Sequence, residues 1–170
     1  MLSSLLKKLL TNQPQGTTDA SATGETGATA GILVPAEIFA TDLAPAESLV
    51  KYLKENHGLA YHEIGQALKR DERGIWGTYR RASKKMPGRF DDAESLHKIL
   101  LTAFSDRSKS ILEATMIELH DAQGMRFVDI AKMLNKAYST VYTTYLKANK
   151  SEKKRENKGH DRTKGVGDDG

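Results

Sequence analysis

Apolar residues recur every three or four positions through two stretches of this chain, and the phase breaks at matching points in each. In the first stretch Leu49, Val50 and Leu53 are followed by Tyr61, Ile64 and Leu68, then by Ile75, Tyr79 and Ala82. In the second, Leu112, Met116 and Leu119 precede Phe127, Ile130 and Leu134, then Val141, Tyr145 and Ala148. Such spacing lines one side of a helix with core-facing groups, so each stretch predicts three helices. The first helix opens on Ala44-Pro45-Ala46-Glu47, with Pro at N1 and Glu at N3, and its counterpart opens on the capping box Ser110-Ile111-Leu112-Glu113. Gly58 and Gly124 are placed to end these helices in the left-handed region. The second helices span 61–68 and 127–134, each with an acid, Glu63 or Asp129, in its first turn. A tight turn follows, in which Asn135 suits a left-handed position and Asp71 can cap the third helix.

Laying residue n on residue n + 66 aligns the stretches without a gap. Glu47 falls on Glu113, Leu53 on Leu119, Gly58 on Gly124, Ile64 on Ile130, Leu68 on Leu134, Thr78 on Thr144, Tyr79 on Tyr145, Ala82 on Ala148 and Lys84 on Lys150. Upstream, Ile32-Leu33-Val34 and Phe39 resemble Ile99-Leu100-Leu101 and Phe104 once a small length change is allowed. The expected fold is therefore all-α: two copies of a three-helix unit, over 32–88 and 89–150, packed as one pseudo-symmetric body.

The flanks read differently. Leu2, Leu5, Leu6, Leu9 and Leu10 form a helical stripe opposite Ser3, Ser4, Lys7 and Lys8. A ten-residue helix is too short to persist in water, so residues 1–10 are expected to dock on a protein or membrane surface. Residues 11–31 form a flexible linker: between Thr11 and Ala30, Thr, Ala, Gly and Ser fill 14 of 20 positions. Twenty such residues span about 25 Å, which suits a tethered peptide. The alternative is that the leucine stripe covers the protein's own core. Residues 151–170, where Val166 is the one large apolar side chain, are expected to be a disordered charged tail.

With no cysteine there is no thiolate nucleophile and no Cys-based zinc site. His57, His62, His97, His120 and His160 form no i, i+4 pair, and no phosphate loop or nucleophile elbow is present. The expectation is a protein with no catalytic residues, metal or cofactor. No apolar run reaches the length of a bilayer crossing, and Lys7 and Lys8 interrupt the leading leucines, so a cytoplasmic protein is expected. The net charge is a mild +4, but its distribution is uneven: residues 1–45 carry −2 and residues 46–85 carry +4. Clustered basic charge is the footprint of a polyanion contact, although a solvated lysine face produces the same excess.

The segments YHEIGQALKRDERGIWGTYRRASKK and FVDIAKMLNKAYSTVYTTYLKANK resemble the C-terminal, promoter-reading region of bacterial sigma factors and related response-regulator domains. Ile64-Gly65 and Ile130-Ala131 stand at the family's Ile-Ala pair, Thr140-Val141 at its Thr-Val pair, and Arg81-Ala82 at its Arg-Ala end. Copy one departs with Gly74-Ile75 in place of Thr-Val, and with Lys69 where the family has Gly. The resemblance implies a helix-turn-helix whose third helix meets double-stranded DNA, in a nucleoid-associated transcriptional regulator. The promoter-melting region of a complete sigma factor is missing from this sequence.

With Ile75, Tyr79 and Ala82 turned inward, Arg73, Trp76, Gly77, Arg80 and Lys84 form the opposite stripe, with Arg81 beside it. Arginines can fork onto guanine or straddle phosphates, and an exposed Trp can contact sugars or thymine methyls. The competing reading packs Trp76 on the other copy, with Gly74 and Gly77 making room. The second copy presents Ser139, Thr140, Tyr142, Thr143 and Leu146, with Lys147 and Lys150 at its end. That nearly neutral face suits DNA or a protein contact equally. The main alternative function is an adaptor whose helix-turn-helix units contact protein, such as a polymerase or a spatial-organising system.

Overall fold

The computed structural model describes residues 29, 31–91 and 95–160, the last ten by backbone alone. The protein is mostly helical with a small two-stranded sheet. Strand β1 (Leu33–Pro35) leads into a 3-10 turn (Ala36–Ala40), then α1 (Pro45–Glu55), α2 (Tyr61–Ala67) and α3 (Glu72–Lys85). Strand β2 (Lys98–Leu100) leads into a second 3-10 turn (Leu101–Ser105), then α4 (Ile111–Ile117), α5 (Phe127–Met133) and α6 (Tyr138–His160). A single π turn, Glu118–Ala122, prolongs α4.

Local chemistry accounts for the helix limits. Pro45 stands at the start of α1, where its missing N–H costs nothing, and the Ala44 N–H donates to Glu47 at 3.1 Å. Ser110 caps α4 reciprocally: Glu113 N–H donates to its hydroxyl at 3.2 Å, and its own N–H donates to Glu113 at 2.8 Å. Gly58 and Gly124 both stop their helices with φ of 68°. Asn135 holds φ of 50°, and Lys69, 66 residues earlier, holds the same value without the local side-chain bonding that eases Asn into this region. Asp71 accepts from the Arg73 and Gly74 N–H groups and caps α3.

One buried cluster runs through both stretches. It includes Leu49, Leu53, Ile64, Leu68 and Ile75 together with Met116, Leu119, Ile130, Leu134 and Val141. α1 packs on α3, α4 on α6, and α1 on α4. Leu112, expected inside, is only partly buried, because Ile111, Ala114 and Thr115 take the inward positions. Lys51 is fully buried and paired with Glu55 at 2.6 Å, where the second stretch has Ile117.

The all-α expectation needs one correction. The two lead-ins are not merely apolar covers: they pair as an antiparallel ribbon in which Val34 faces Ile99 directly. Three residues are too few to show a period-two pattern, and the pairing partner lies far along the chain, so sequence pattern could not reveal it. Element order also corrects the alignment of the lead-ins: each strand directly precedes its 3-10 turn, which makes Val34, rather than Ile32, the equivalent of Ile99. At the other end, α6 continues to His160, past Lys150 and into the stretch expected to be a tail.

Candidate nucleic-acid interface

The outer face of α3 is held in place from behind. Ile75 and Ala82 are buried in the core, and the Tyr79 hydroxyl donates to Glu55 on α1 at 3.1 Å. At the C-terminal end, Lys85 donates to Glu47 at 2.8 Å and the Arg81 guanidinium lies 3.4 Å from the same carboxylate. Burial pushes the Glu47 carboxyl upward, but the bonds from Lys85, the Ala44 N–H and Arg81 outweigh it and hold it below its ordinary value.

Arg73, Trp76, Arg80, Arg81 and Lys84 are exposed on this scaffold, and Gly77 is half-buried between them. Trp76 keeps 50% of its surface in solvent, with the Arg80 guanidinium over its ring at 5.6 Å. Among the described residues neither Arg73 nor Lys84 has an ion-pair partner, whereas Arg81 is shared between Glu47 and the Thr78 hydroxyl. Trp76 is therefore not a seam between the two stretches, and a Cβ added at Gly74 would meet open space. Tyr61, Glu72, Arg73, Trp76 and Gly77 line a shallow recess.

On α6 the equivalent positions carry different chemistry. Ser139, Thr140, Tyr142, Thr143 and Lys147 are all exposed. Thr143 donates to the Ser139 carbonyl at 2.6 Å, and the Lys147 ammonium lies 3.9 Å from Glu113. Tyr142 stacks on Tyr138 at 6.0 Å and meets Phe127 edge-on at 5.4 Å, while in the other stretch Trp76 and Tyr61 line one recess. Leu146 stands where α3 has Arg80 and is 47% exposed. Two residues that periodicity did not single out extend this face: Tyr138, at i−4 from Tyr142, and Val128 on α5 are both exposed and flank a cleft reaching Lys132 and Lys136. The i, i+4 spacing of Tyr138 and Tyr142 was the signal available for the first of them.

The docking stripe Leu2, Leu5, Leu6, Leu9 and Leu10 lies outside the described residues. Among the described residues no helix is long and apolar enough to cross a membrane, and no cluster of His, Asp and Glu could hold a metal ion. No protein-family model matches the chain, and no curated protein or solved structure matches it either.

Proposed function

We propose that the chain is two copies of one helix-turn-helix unit, built from α1–α3 and from α4–α6, and that it binds double-stranded DNA as a small, nucleoid-associated, non-enzymatic transcriptional regulator. The observation that carries this reading is the outer face of α3. Arg73, Trp76, Arg80 and Lys84 are exposed on a helix that is braced by Ile75, Tyr79 and Glu47 and entered through a tight turn capped by Asp71. Such a face offers bidentate donors for guanine, cations for phosphate and an apolar ring for sugar or thymine methyl. The two-unit reading draws support from backbone features recurring 66 residues apart: positive φ at Gly58 and Gly124, and at Lys69 and Asn135.

A second reading draws support from α6. Tyr138, Tyr142 and Leu146 fall at i, i+4 and i+8 and expose an apolar stripe flanked by Val128. Such a stripe suits a protein partner, in an adaptor whose second unit recruits another component. Recruitment through Leu2, Leu5, Leu6, Leu9 and Leu10 fits either reading.

Titration of the full chain onto random-sequence duplex DNA at two salt concentrations separates them. Affinity falling steeply with salt supports the DNA reading, because displaced counterions report phosphate contacts. Arg73→Ala with Arg80→Ala should weaken binding by about 1–3 kcal/mol per base-directed contact, or flatten the salt slope if they hold phosphates. Absence of duplex binding at low salt rejects the reading and leaves the adaptor.

A further inference from the structure

The two strands are paired in a register that maps onto itself. β1 and β2 each precede their 3-10 turn directly, which makes Val34 equivalent to Ile99 and Phe39 equivalent to Phe104. Val34 and Ile99 face each other at the centre of the ribbon, while Leu33 pairs with Leu100 and Pro35 with Lys98. Exchanging the halves turns each outer pair into the other. The bonds flanking the ribbon behave in the same way: Ala36 N–H donates to the His97 carbonyl at 2.9 Å, and Leu101 N–H donates to the Ile32 carbonyl at 2.9 Å. These two bonds interconvert when the halves are swapped. Phe39 and Phe104 meet edge-to-face with centroids 5.9 Å apart, and α1 packs on its counterpart α4. Self-contact between equivalent residues, with reciprocal bonds on either side, characterises an isologous twofold interface and is not produced by head-to-tail stacking of repeats.

This symmetry has a consequence for DNA, and it rests on the DNA-binding reading above. Units related by a twofold present their third helices to a duplex in opposite senses along it, so they read inverted half-sites, whereas units related by translation read direct repeats. We propose that the protein is a covalently joined pseudo-dimer whose ligand is duplex DNA carrying two inverted, non-identical half-sites. The α3 half-site dominates. Arg73, Trp76 and Arg80 face it, while the α6 half-site meets Ser139, Tyr142 and Leu146, which offer hydroxyls and apolar surface for thymine methyls in place of cationic forks. A homodimer reads both halves with one helix and is confined to near-palindromes; this chain reads each half with its own.

The test is a selection of the full chain on a pool of random duplexes, followed by affinity measurements on the enriched sequence and three derivatives. The expected product is an inverted pair of unlike half-sites. Scrambling the α3 half should cost at least tenfold more affinity than scrambling the α6 half. Reversing the orientation of one half, at fixed spacing, should reduce affinity to that of the remaining half alone. Arg73→Ala with Arg80→Ala, both at exposed positions and checked for unchanged helical circular dichroism, should abolish selectivity at one half and spare the other. Enrichment of a direct repeat or of a lone half-site, with salt-dependent duplex binding intact, overturns the inverted arrangement and leaves DNA binding standing. Failure to bind any duplex overturns both.

Discussion

The α1–α3 and α4–α6 stretches solve the same packing problem with different side chains. Tyr79 bonds Glu55 at 3.1 Å and Tyr145 bonds Asp121 at 2.8 Å, so the third helix is tied to the first by the same hydroxyl-to-carboxylate link in each. Lys54 donates to the Leu59 carbonyl and covers the Tyr61 ring, while His120 bonds the Met125 carbonyl and stacks on Phe127. An ammonium and an imidazole thus fasten the same turn. Inside, Lys51 is matched by Ile117, and outside, Arg73, Trp76 and Arg80 are matched by Ser139, Tyr142 and Leu146. The inward positions Leu53, Ile64, Leu68 and Ala82 recur unchanged as Leu119, Ile130, Leu134 and Ala148, because close packing penalises changes of volume, and the outward positions diverge because solvent imposes no such limit.

The largest effect expected tests whether the two stretches share one core. Ile64→Ala and Ile130→Ala each remove a fully buried side chain, and each should cost about 2–5 kcal/mol. Because the buried cluster is continuous, both variants should still melt in a single transition by calorimetry. A two-step melt in which only one half is weakened would show two independent cores.

Lys51 sharpens the internal contrast. Lys51→Ala leaves the Glu55 carboxylate without its cation and opens space beside it, at an expected cost of about 1–3 kcal/mol in a urea titration. Lys51→Ile combined with Glu55→Gln, which removes both charges and keeps an acceptor for the Tyr79 hydroxyl, should stay within about 1 kcal/mol of the wild type or exceed it, since a buried ion pair is frequently replaceable as a pair by packed uncharged groups. A loss of similar size in both variants would mean that the charge itself is needed at this site.

The two first-turn glutamates differ in how strongly they are clamped. Glu47 meets Lys85 and Arg81, while Glu113 meets Lys147 at 3.9 Å. The folded-state value of Glu47 lies below the ordinary 4.5, so its contribution is present above that pH and is lost as pH falls through the depressed value. Glu47→Gln should lower stability by about 1–2 kcal/mol at pH 7, with the gap to wild type closing on acidification below that ordinary value. A gap independent of pH would assign the effect to packing. Asp106, held down to about 2 mainly by the Ser108 hydroxyl and N–H, adds acid sensitivity of the same sign ahead of α4.

The smallest effect concerns the turn between the second and third helices. Lys69 and Asn135 both hold φ of 50°, but lysine lacks the local bonding that suits asparagine to this region. Lys69→Gly should raise stability by up to about 1 kcal/mol, and Asn135→Gly should change it by less. Equal responses would remove this distinction between the turns.

The helices and their order were legible in the sequence because their determinants are local: apolar residues at i, i+3 and i+4, Ser110 with Glu113, Asp71 at a cap, and Gly58 and Gly124 at φ of 68°. The exposed stripe of α3 followed from the same periodicity, since fixing Ile75, Tyr79 and Ala82 inward leaves Arg73, Trp76 and Arg80 outward. The face of α6 was legible only in part, because the exposure of Tyr138 and Val128 depends on what packs beside them. Burial of Lys51 was hidden for a similar reason: a lysine on a helix stripe reads as solvated until a neighbouring element closes over it. The ribbon was settled by tertiary structure alone. Strands of three residues have no readable period, and their partners lie on the far side of three helices, so only the assembled core could bring Val34 opposite Ile99. Sequence by itself determined the helical elements and the spacing at which they recur; how the two halves are turned toward each other was decided by contacts between distant residues, which no local pattern encodes.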